Sequence, residues 1–274
     1  MPITADQERG FYDAVYSRFL ERPDHELAVN REVMRRTLAD PRQPVFERRR
    51  LYTEVFSRLL AMPLSGLRVL DYGCGPADWG VWVATEGADV TLLDLSPAAV
   101  ELGLRRARAS EVSHRVRGEA RDASDLTCFH DGEFDLVYAS AAVHHTLKYP
   151  RAFDELVRVI RPGGTLLLAE TYGNNPLLNF ARRVRAALEG EAEEQGEEII
   201  LGHREIALLR SAFTHVELHE MNLLAMGKRL LRGKRHRRWA RGAVSLLEGA
   251  DALLLGMAPF LRRYCGEVVV VAVK

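Results

Sequence analysis

Three carboxylates follow one another at intervals of a strand and a helix in this sequence, and two adjacent histidines come after them. Asp71 opens the run Asp71-Tyr72-Gly73-Cys74-Gly75-Pro76-Ala77-Asp78, a glycine turn between a β-rich segment and a helix-forming one. Gly73 and Gly75 let backbone amides approach a ligand with no Cβ in the way. Asp71 puts a carboxylate beside that ligand, which suits an ammonium group better than a phosphate. A dinucleotide-binding turn would carry glycine or alanine where this chain has Asp78, and would rest a pyrophosphate on the helix N-terminus. Asp94 stands about twenty residues past the turn, where a carboxylate can accept both hydroxyls of an adenosine ribose. Asp122 lies just past a third strand and can accept from the exocyclic amine of adenine. The turn alone is common to many nucleotide sites and to ligand-free βα turns. Acids after three successive strands are more than chance gives.

The elements that must position these residues alternate. Short β-rich runs occur at Leu67–Asp71, Asp89–Asp94, His114–Arg117, Phe134–Tyr138 and Thr165–Ala169. Ser96-Pro97 opens a helix, with Ser as N-cap and Pro at the first helical position. Phe153, Leu156, Val157 and Ile160 form a helical stripe that Pro162-Gly163-Gly164 stops. Such alternation predicts a parallel sheet with helices on both faces and ligands beyond the carboxyl ends of the strands. Before it, Phe11, Tyr12, Val15, Tyr16 and Phe19 recur at helical spacing, as do Val45, Tyr52, Phe56, Leu59 and Leu60, with Pro41 and Pro44 between. After it, Asn175-Pro176 starts a helix, and Glu189–Glu198 is glutamate-rich and solvated. Thr214–His219 alternates like a strand, a stripe of Val244, Leu247, Leu254 and Leu261 is helical, and Glu267–Val273 is a continuous apolar strand.

Composition bounds the class. The 274 residues hold 38 basic and 38 acidic side chains and are 47% apolar. That describes a globular chain with a sizeable core, and excludes disordered, collagen-like and coiled-coil classes. Zero net charge argues against a chain-wide nucleic-acid binder. Cys74, Cys128 and Cys265 are too far apart and too few for a disulfide framework or a zinc knuckle, so a reducing compartment is expected and no metal site. The N-terminus carries no basic-then-apolar signal segment, and the apolar stretch around Ala252–Leu261 is too short to span a bilayer.

Taken together, Val69–Gly75, Leu93-Asp94-Leu95-Ser96-Pro97, Phe134–Val137, His144-His145 and Ile160–Gly164 resemble the class I S-adenosylmethionine-dependent methyltransferases, over about residues 65 to 170. The resemblance implies a Rossmann-like α/β sandwich: a mostly parallel seven-stranded sheet whose last strand, Glu267–Val273, inserts antiparallel beside the sixth. It implies a single domain, with a helical cap at 1–62, a cofactor-binding core at 63–170, acceptor-side helices at 171–212, and a terminal strand pair with a helical insertion at 213–274. It implies that Gly73, Cys74 and Gly75 border the methionine part of the cofactor while Asp71 reaches its ammonium. Asp94 and Leu95 would hold the ribose, Asp122 and Ala123 the adenine, and Ser140 would offer backbone. Tyr12, with Tyr16, would fold over the cofactor or else pack on the sheet edge, and Trp79 would pack the first core helix. Ala77 replaces a third glycine often found in this loop, a slight departure.

Methyl transfer is an in-line displacement that needs nucleophile and methyl collinear and water excluded. A hydroxyl or ammonium acceptor also needs a base working near neutral pH, which histidine supplies. In similar small-molecule enzymes the His144-His145 pair can be that base, oriented by an acid where Glu170 stands. The other reading is a pair that only bonds backbone or packs under the cofactor. The expected function is methylation of an O, N or C nucleophile on a small organic acceptor, a natural product or lipid-like molecule, by a cytoplasmic enzyme. The helices at 1–60, 171–212 and 223–262 would build the acceptor pocket. The alternatives are a non-catalytic cofactor-binding scaffold and, less favoured, a nucleic-acid methyltransferase. Ala139-Ser140-Ala141-Ala142 lacks the proline motif of base-amine methylating enzymes. The basic stretch Lys228–Arg241 fits either a solvated face or peripheral contact with the inner membrane face.

Overall fold

The computed structural model describes residues 5–149, 151–189, 200–231, 233–234 and 237–274. Its frame is a sheet of seven strands: β1 (Arg68–Tyr72), β2 (Asp89–Asp94), β3 (Val116–Ala120), β4 (Phe134–Ser140), β5 (Ile160–Thr171), β6 (His215–Met221) and β7 (Glu267–Val273). The spatial order is β3-β2-β1-β4-β5-β7-β6. β7 runs antiparallel between β5 and β6, as expected, and the other neighbouring pairs are parallel. Chain order reverses direction at β1, which has β2 on one side and β4 on the other, and a ligand crevice opens at such a switch point.

The helices are α1 (Ala5–Leu20), α2 (Arg31–Ala39), α3 (Arg49–Leu60), α4 (Asp78–Thr85), α5 (Pro97–Ala109), α6 (Val143–Thr146), α7 (Ala152–Val159), α8 (Pro176–Glu189), α9 (His203–Ala212) and α10 (Arg238–Met257). Because successive strand residues face opposite ways, Val69 and Leu70 enter separate cores. One face packs under α2, α3 and α4, where Phe56 stacks on Trp82 at 4.6 Å. The other packs against α7 and α9 through Leu156, Ile206 and Leu209. Both faces are covered, so the strands read as nearly continuous apolar runs.

Local signals explain most boundaries. Ser96 caps α5 by accepting from the Ala99 amide at 3.2 Å, with Pro97 at the first turn. Asn175 caps α8 through the Leu177 amide at 3.0 Å and the Leu178 amide at 3.2 Å. Other boundaries differ from the sequence expectation. β3 starts at Val116 because Ser113–Arg115 form a 3-10 turn. Its alternation is broken by Gly118, where a Cβ would sit 2.4 Å from Val100 Cγ1. β5 runs through Pro162-Gly163-Gly164 to Ile160, with a register shift against β4, since the amide of Gly163 bonds the carbonyl of Lys274 at 2.8 Å. α2 has no counterpart in the sequence reading; it buries only Met34 and Leu38 and starts on an Asn30 cap.

Residues 1–62 do not behave as one cap. α2 and α3 belong to the core, and only α1 buries none of its residues. In α10 the buried face runs through Ala240, Val244, Asp251 and Leu255, so the expected leucine stripe is turned by part of a helical step. Asp251 is inside because it accepts the Leu223 amide at 2.8 Å and the Leu224 amide at 2.6 Å. The basic stretch is not one solvated face: Lys228 is buried 3.8 Å from Glu267, and Arg229 turns to Glu47 at 3.8 Å. Arg232 and Arg235, and the run 190–198, lie outside the described residues.

Candidate functional site

A cavity of about 540 Å³ opens at the carboxyl ends of β1, β2 and β4, within the range of small-ligand sites. Its floor is the turn after β1. Gly73 and Gly75 adopt φ of +69° and +52°, which favours glycine at both positions. A Cβ on Gly73 would sit 2.5 Å from Ala142 Cβ, and one on Gly75 would sit 2.9 Å from the Tyr16 hydroxyl. The Gly73 and Cys74 amides donate to the carbonyl of Leu93 at 2.8 and 2.9 Å, stapling the turn to β2. Ala77 takes the left-handed conformation, and Gly103 of α5 makes room for its methyl group.

Five acids line this cavity: Glu8 from the roof, and Asp71, Asp78, Asp94 and Asp122. Asp71 is 3% exposed and accepts from the Gly80 amide at 3.1 Å. Burial, with Asp78 and Asp94 nearby, pushes its carboxyl up to about 8. Asp94 accepts from the Gly75 amide at 2.8 Å and the Ser96 amide at 2.9 Å, which locks it between the turn and α5 and leaves further lone pairs for a diol. Burial raises its pKa as well, against the pull of those bonds. Asp122 is fixed by the Ser124 amide at 2.8 Å. Ala123 is held through its carbonyl by the Tyr72 hydroxyl at 2.8 Å, and Leu95 lines the wall beside Asp94.

α1 forms the roof. Tyr12 and Tyr16 stack at 6.0 Å and both face the cavity. Asp13 ties α1 to the start of α5, accepting from the Ala98 amide at 3.1 Å and from the Ser96 hydroxyl. The side wall is aromatic: Tyr52 stacks on Trp79 at 5.7 Å, and Tyr138 lies 5.8 Å from Trp79. Trp79 therefore serves the cavity as well as the core. Ser140 Oγ donates to the Tyr52 hydroxyl at 3.3 Å. No described residue of 171–212 or 223–262 lines the cavity, contrary to expectation. α9 is spent on packing the sheet beneath, and α10 packs on the 3-10 turns at Leu224–Leu231 and Pro259–Tyr264.

The histidines separate. His144 is buried, and its Nδ1 lies 2.7 Å from Glu170 Oε2. Glu170 also accepts the Ala142 and Val143 amides, each at 3.0 Å. Burial raises the Glu170 carboxyl, but His144 and Arg48 outweigh that and hold it low. His144 and Glu170 do not reach the cavity wall; His145 does. The partner of His145 is Glu8 of α1, 3.0 Å from Nδ1, with the Tyr12 hydroxyl 3.5 Å from Nε2. The hydrogen bond to His145 keeps the Glu8 carboxyl below its usual range, helped by Lys148. Glu170 therefore bonds the histidine that does not line the cavity, while the two imidazole rings lie side by side with centroids 4.2 Å apart.

The sequence reading missed Glu8, Asp13 and Arg48. Arg48 lines the cavity and donates from Nε to Glu267 Oε1 at 3.0 Å, while its Nη2 is buried with no hydrogen-bond partner. Nothing in Arg48-Arg49-Arg50 marks the first: Arg49 goes to Glu248 and Arg50 to Asp251. Among the described residues no cluster of three metal-binding side chains occurs.

A family model described as a methyltransferase domain matches residues 69–164. This stretch is a class I S-adenosylmethionine-dependent methyltransferase domain. Its cofactor is S-adenosylmethionine, and the cavity fits it. A cationic nucleoside answers the cluster of buried acids around Asp71, the glycine cradle admits close approach, and the orphaned Arg48 Nη2 suits the cofactor's own carboxylate. The methyltransferase domain is similar to part of a demethylmenaquinone methyltransferase of Clavibacter sepedonicus, 34% identical over 108 residues, or 39% of this chain and 42% of that one. It is also similar to a 27-O-demethylrifamycin SV methyltransferase of Amycolatopsis mediterranei, 36% identical over 121 residues, or 43% and 44%. The chain spans less than half the length of these curated relatives. Among solved structures, geranyl diphosphate C-methyltransferase of Streptomyces coelicolor shares the fold, with a TM-score of 0.55 at 18% identity over 87% of this chain and 88% of that one.

Proposed function

We propose that this chain transfers the methyl group of S-adenosylmethionine to an oxygen, nitrogen or carbon nucleophile of a small organic acceptor. The observation that carries the reading is the set of fixed carboxylates, Asp71, Asp94 and Asp122, at three successive strand ends of one cavity that also exposes His145. Bound there, the cofactor supplies an electrophilic methyl group on a sulfonium.

The chain's own residues do the rest. Asp71 takes the ammonium, Asp94 the ribose hydroxyls, Asp122 the adenine amine and Arg48 the carboxylate. Tyr12 and Tyr16 on the roof exclude water, which favours collinear attack over hydrolysis. His145 accepts the acceptor's proton at Nε2, and the Glu8 carboxylate at Nδ1 stabilises the imidazolium that results. Glu170 and His144 are positioning residues: they fix the turn after β4 that carries His145. The wall of Tyr52, Trp79 and Tyr138 suits a flat or apolar acceptor. Relatives named for demethylmenaquinone and demethylrifamycin support a natural-product or lipid-like molecule rather than a nucleic acid. The test is transfer of isotopically labelled methyl to such acceptors, with the product identified by mass. Labelled product supports the reading. Tight binding of S-adenosylhomocysteine with no labelled product from a broad acceptor panel supports a non-catalytic binding domain instead.

A further inference from the structure

α10 presents to solvent a face that its position in the fold does not explain. Trp239, Leu246 and Leu253 recur every seventh residue, two helical turns apart, and so form one line along α10, and Phe260 follows on the 3-10 turn after it (Pro259–Tyr264). Leu246 is 76% exposed, Leu253 66%, Met257 77% and Phe260 67%. Gly242, Gly249 and Gly256 lie beside them, and a Cβ on any of the three would meet nothing within 4 Å. The only acids between positions 237 and 263 are Glu248 and Asp251, and both turn inward to Arg49 and Arg50. The solvent face from Gly242 to Phe260 therefore carries no charge, while exposed arginines stand at both ends: Arg237 and Arg238 before it, Arg262 and Arg263 after it.

We infer that this face docks on an anionic lipid surface, with α10 lying flat at the headgroup boundary. Charge decides between occupants. A second copy would bring arginines against arginines whether the two helices ran parallel or antiparallel. Anionic headgroups complement both ends at once, and arginine stems reach up past the apolar line to meet them. An uncharged face rimmed by arginine is the pattern of a helix that lies on a bilayer. No described helix is long and apolar enough to cross one. Lys228, central to the sequence expectation, takes no part because it is buried. The inference does not depend on the methyl-transfer reading.

The test is flotation of the full chain with vesicles of equal parts phosphatidylglycerol and phosphatidylcholine, and with phosphatidylcholine alone. Binding is expected to the anionic vesicles at low salt and to fall about tenfold or more at several-fold higher salt, with little binding to the neutral ones. Leu246→Glu combined with Leu253→Glu is expected to cut partitioning about 100-fold or more at unchanged melting temperature, because both side chains are exposed. No binding of the unaltered chain at low salt overturns the proposal, as does equal binding to neutral vesicles or indifference to the leucine pair. A dimer in light scattering that the same pair dissolves assigns the face to a second copy, and also overturns it.

Discussion

Replacing Asp71 by Asn separates what this residue does for the fold from what it does for the ligand. The side chain is buried, accepts one backbone amide, and has its carboxyl pushed up to about 8 by burial and by Asp78 and Asp94. The ordinary value for aspartate is 3.8. Below about pH 4 the group is protonated in both folded and unfolded chains and costs nothing. From about pH 4 to about pH 8 the unfolded chain ionises and the folded one does not, so stability is lost across that window. Over the interval to pH 7 the loss is about 4 kcal/mol, at about 1.4 kcal/mol per pH unit, and partial relaxation of the site makes about 2–4 kcal/mol the expected observation. Asn keeps the oxygen that accepts the Gly80 amide and removes the titration.

The variant should therefore be more stable than the parent at pH 7, by several degrees in melting temperature, and no more stable at pH 4. It should bind S-adenosylhomocysteine about 10–100-fold more weakly, since a charge-assisted bond contributes about 1.5–3 kcal/mol. Calorimetry in buffers of different ionisation enthalpy adds a direct readout. The parent should release about 0.9 proton from Asp71 on binding at pH 7, and the variant none from that group. Denaturant titrations at pH 4, 5.5, 7 and 8, with and without S-adenosylhomocysteine, give the stability side. A variant that is destabilised equally at every pH, or that binds as tightly as the parent with the same proton release, refutes the argument.

His145→Ala should lower turnover about 10²–10⁴-fold while leaving cofactor affinity within a few-fold; full turnover would remove it as the base. Glu8→Gln should give a smaller loss of the same kind, read as kcat at unchanged KM for cofactor. Glu170→Ala strips an acceptor from two amides and from His144, and should cost about 3–5 kcal/mol in denaturant unfolding, far more than His145→Ala does. Gly73→Ala forces a Cβ to 2.5 Å from Ala142 Cβ at φ +69°, and should abolish calorimetric binding of S-adenosylhomocysteine even where the chain still folds.

The parts of this molecule that the sequence made legible are those in which one residue type has one local use. Ser96-Pro97 starts a helix wherever it occurs, apolar runs buried on both faces become strands, and a strand–Gly-x-Gly–helix turn leaves little choice of backbone. Hence the alternation of parallel strands and helices and the backbone of the glycine turn could be anticipated from the residues, while the antiparallel place of β7 is implied by the family resemblance. What stayed hidden depends on which way a side chain turns after tertiary packing. His144 and His145 are the same residue at adjacent positions, and only the α6 turn sends one to Glu170 and the other to the cavity. Arg48, Arg49 and Arg50 are alike on paper and separate only because Glu267, Glu248 and Asp251 come from elements about 200 residues away.

The same logic explains why the acceptor compartment resisted reading while the cofactor compartment did not. The cofactor's ring of acids is built from consecutive βα units, each carrying its own strand signal. The proposed acceptor wall joins α1, α3, α4 and β4 through Tyr12, Tyr52, Trp79 and Tyr138, which come from separate parts of the chain. A swap of Tyr138 for Leu should accordingly shift KM for acceptor and leave the affinity for S-adenosylhomocysteine within about threefold, since Tyr138 makes no hydrogen bond to the fixed carboxylates and additivity holds between sites without shared partners; Tyr52, whose ring lies 5.7 Å under the Arg48 guanidinium, is not a clean test. Comparable losses for both ligands would mean that donor and acceptor share one compartment, and the division argued from these walls would fall.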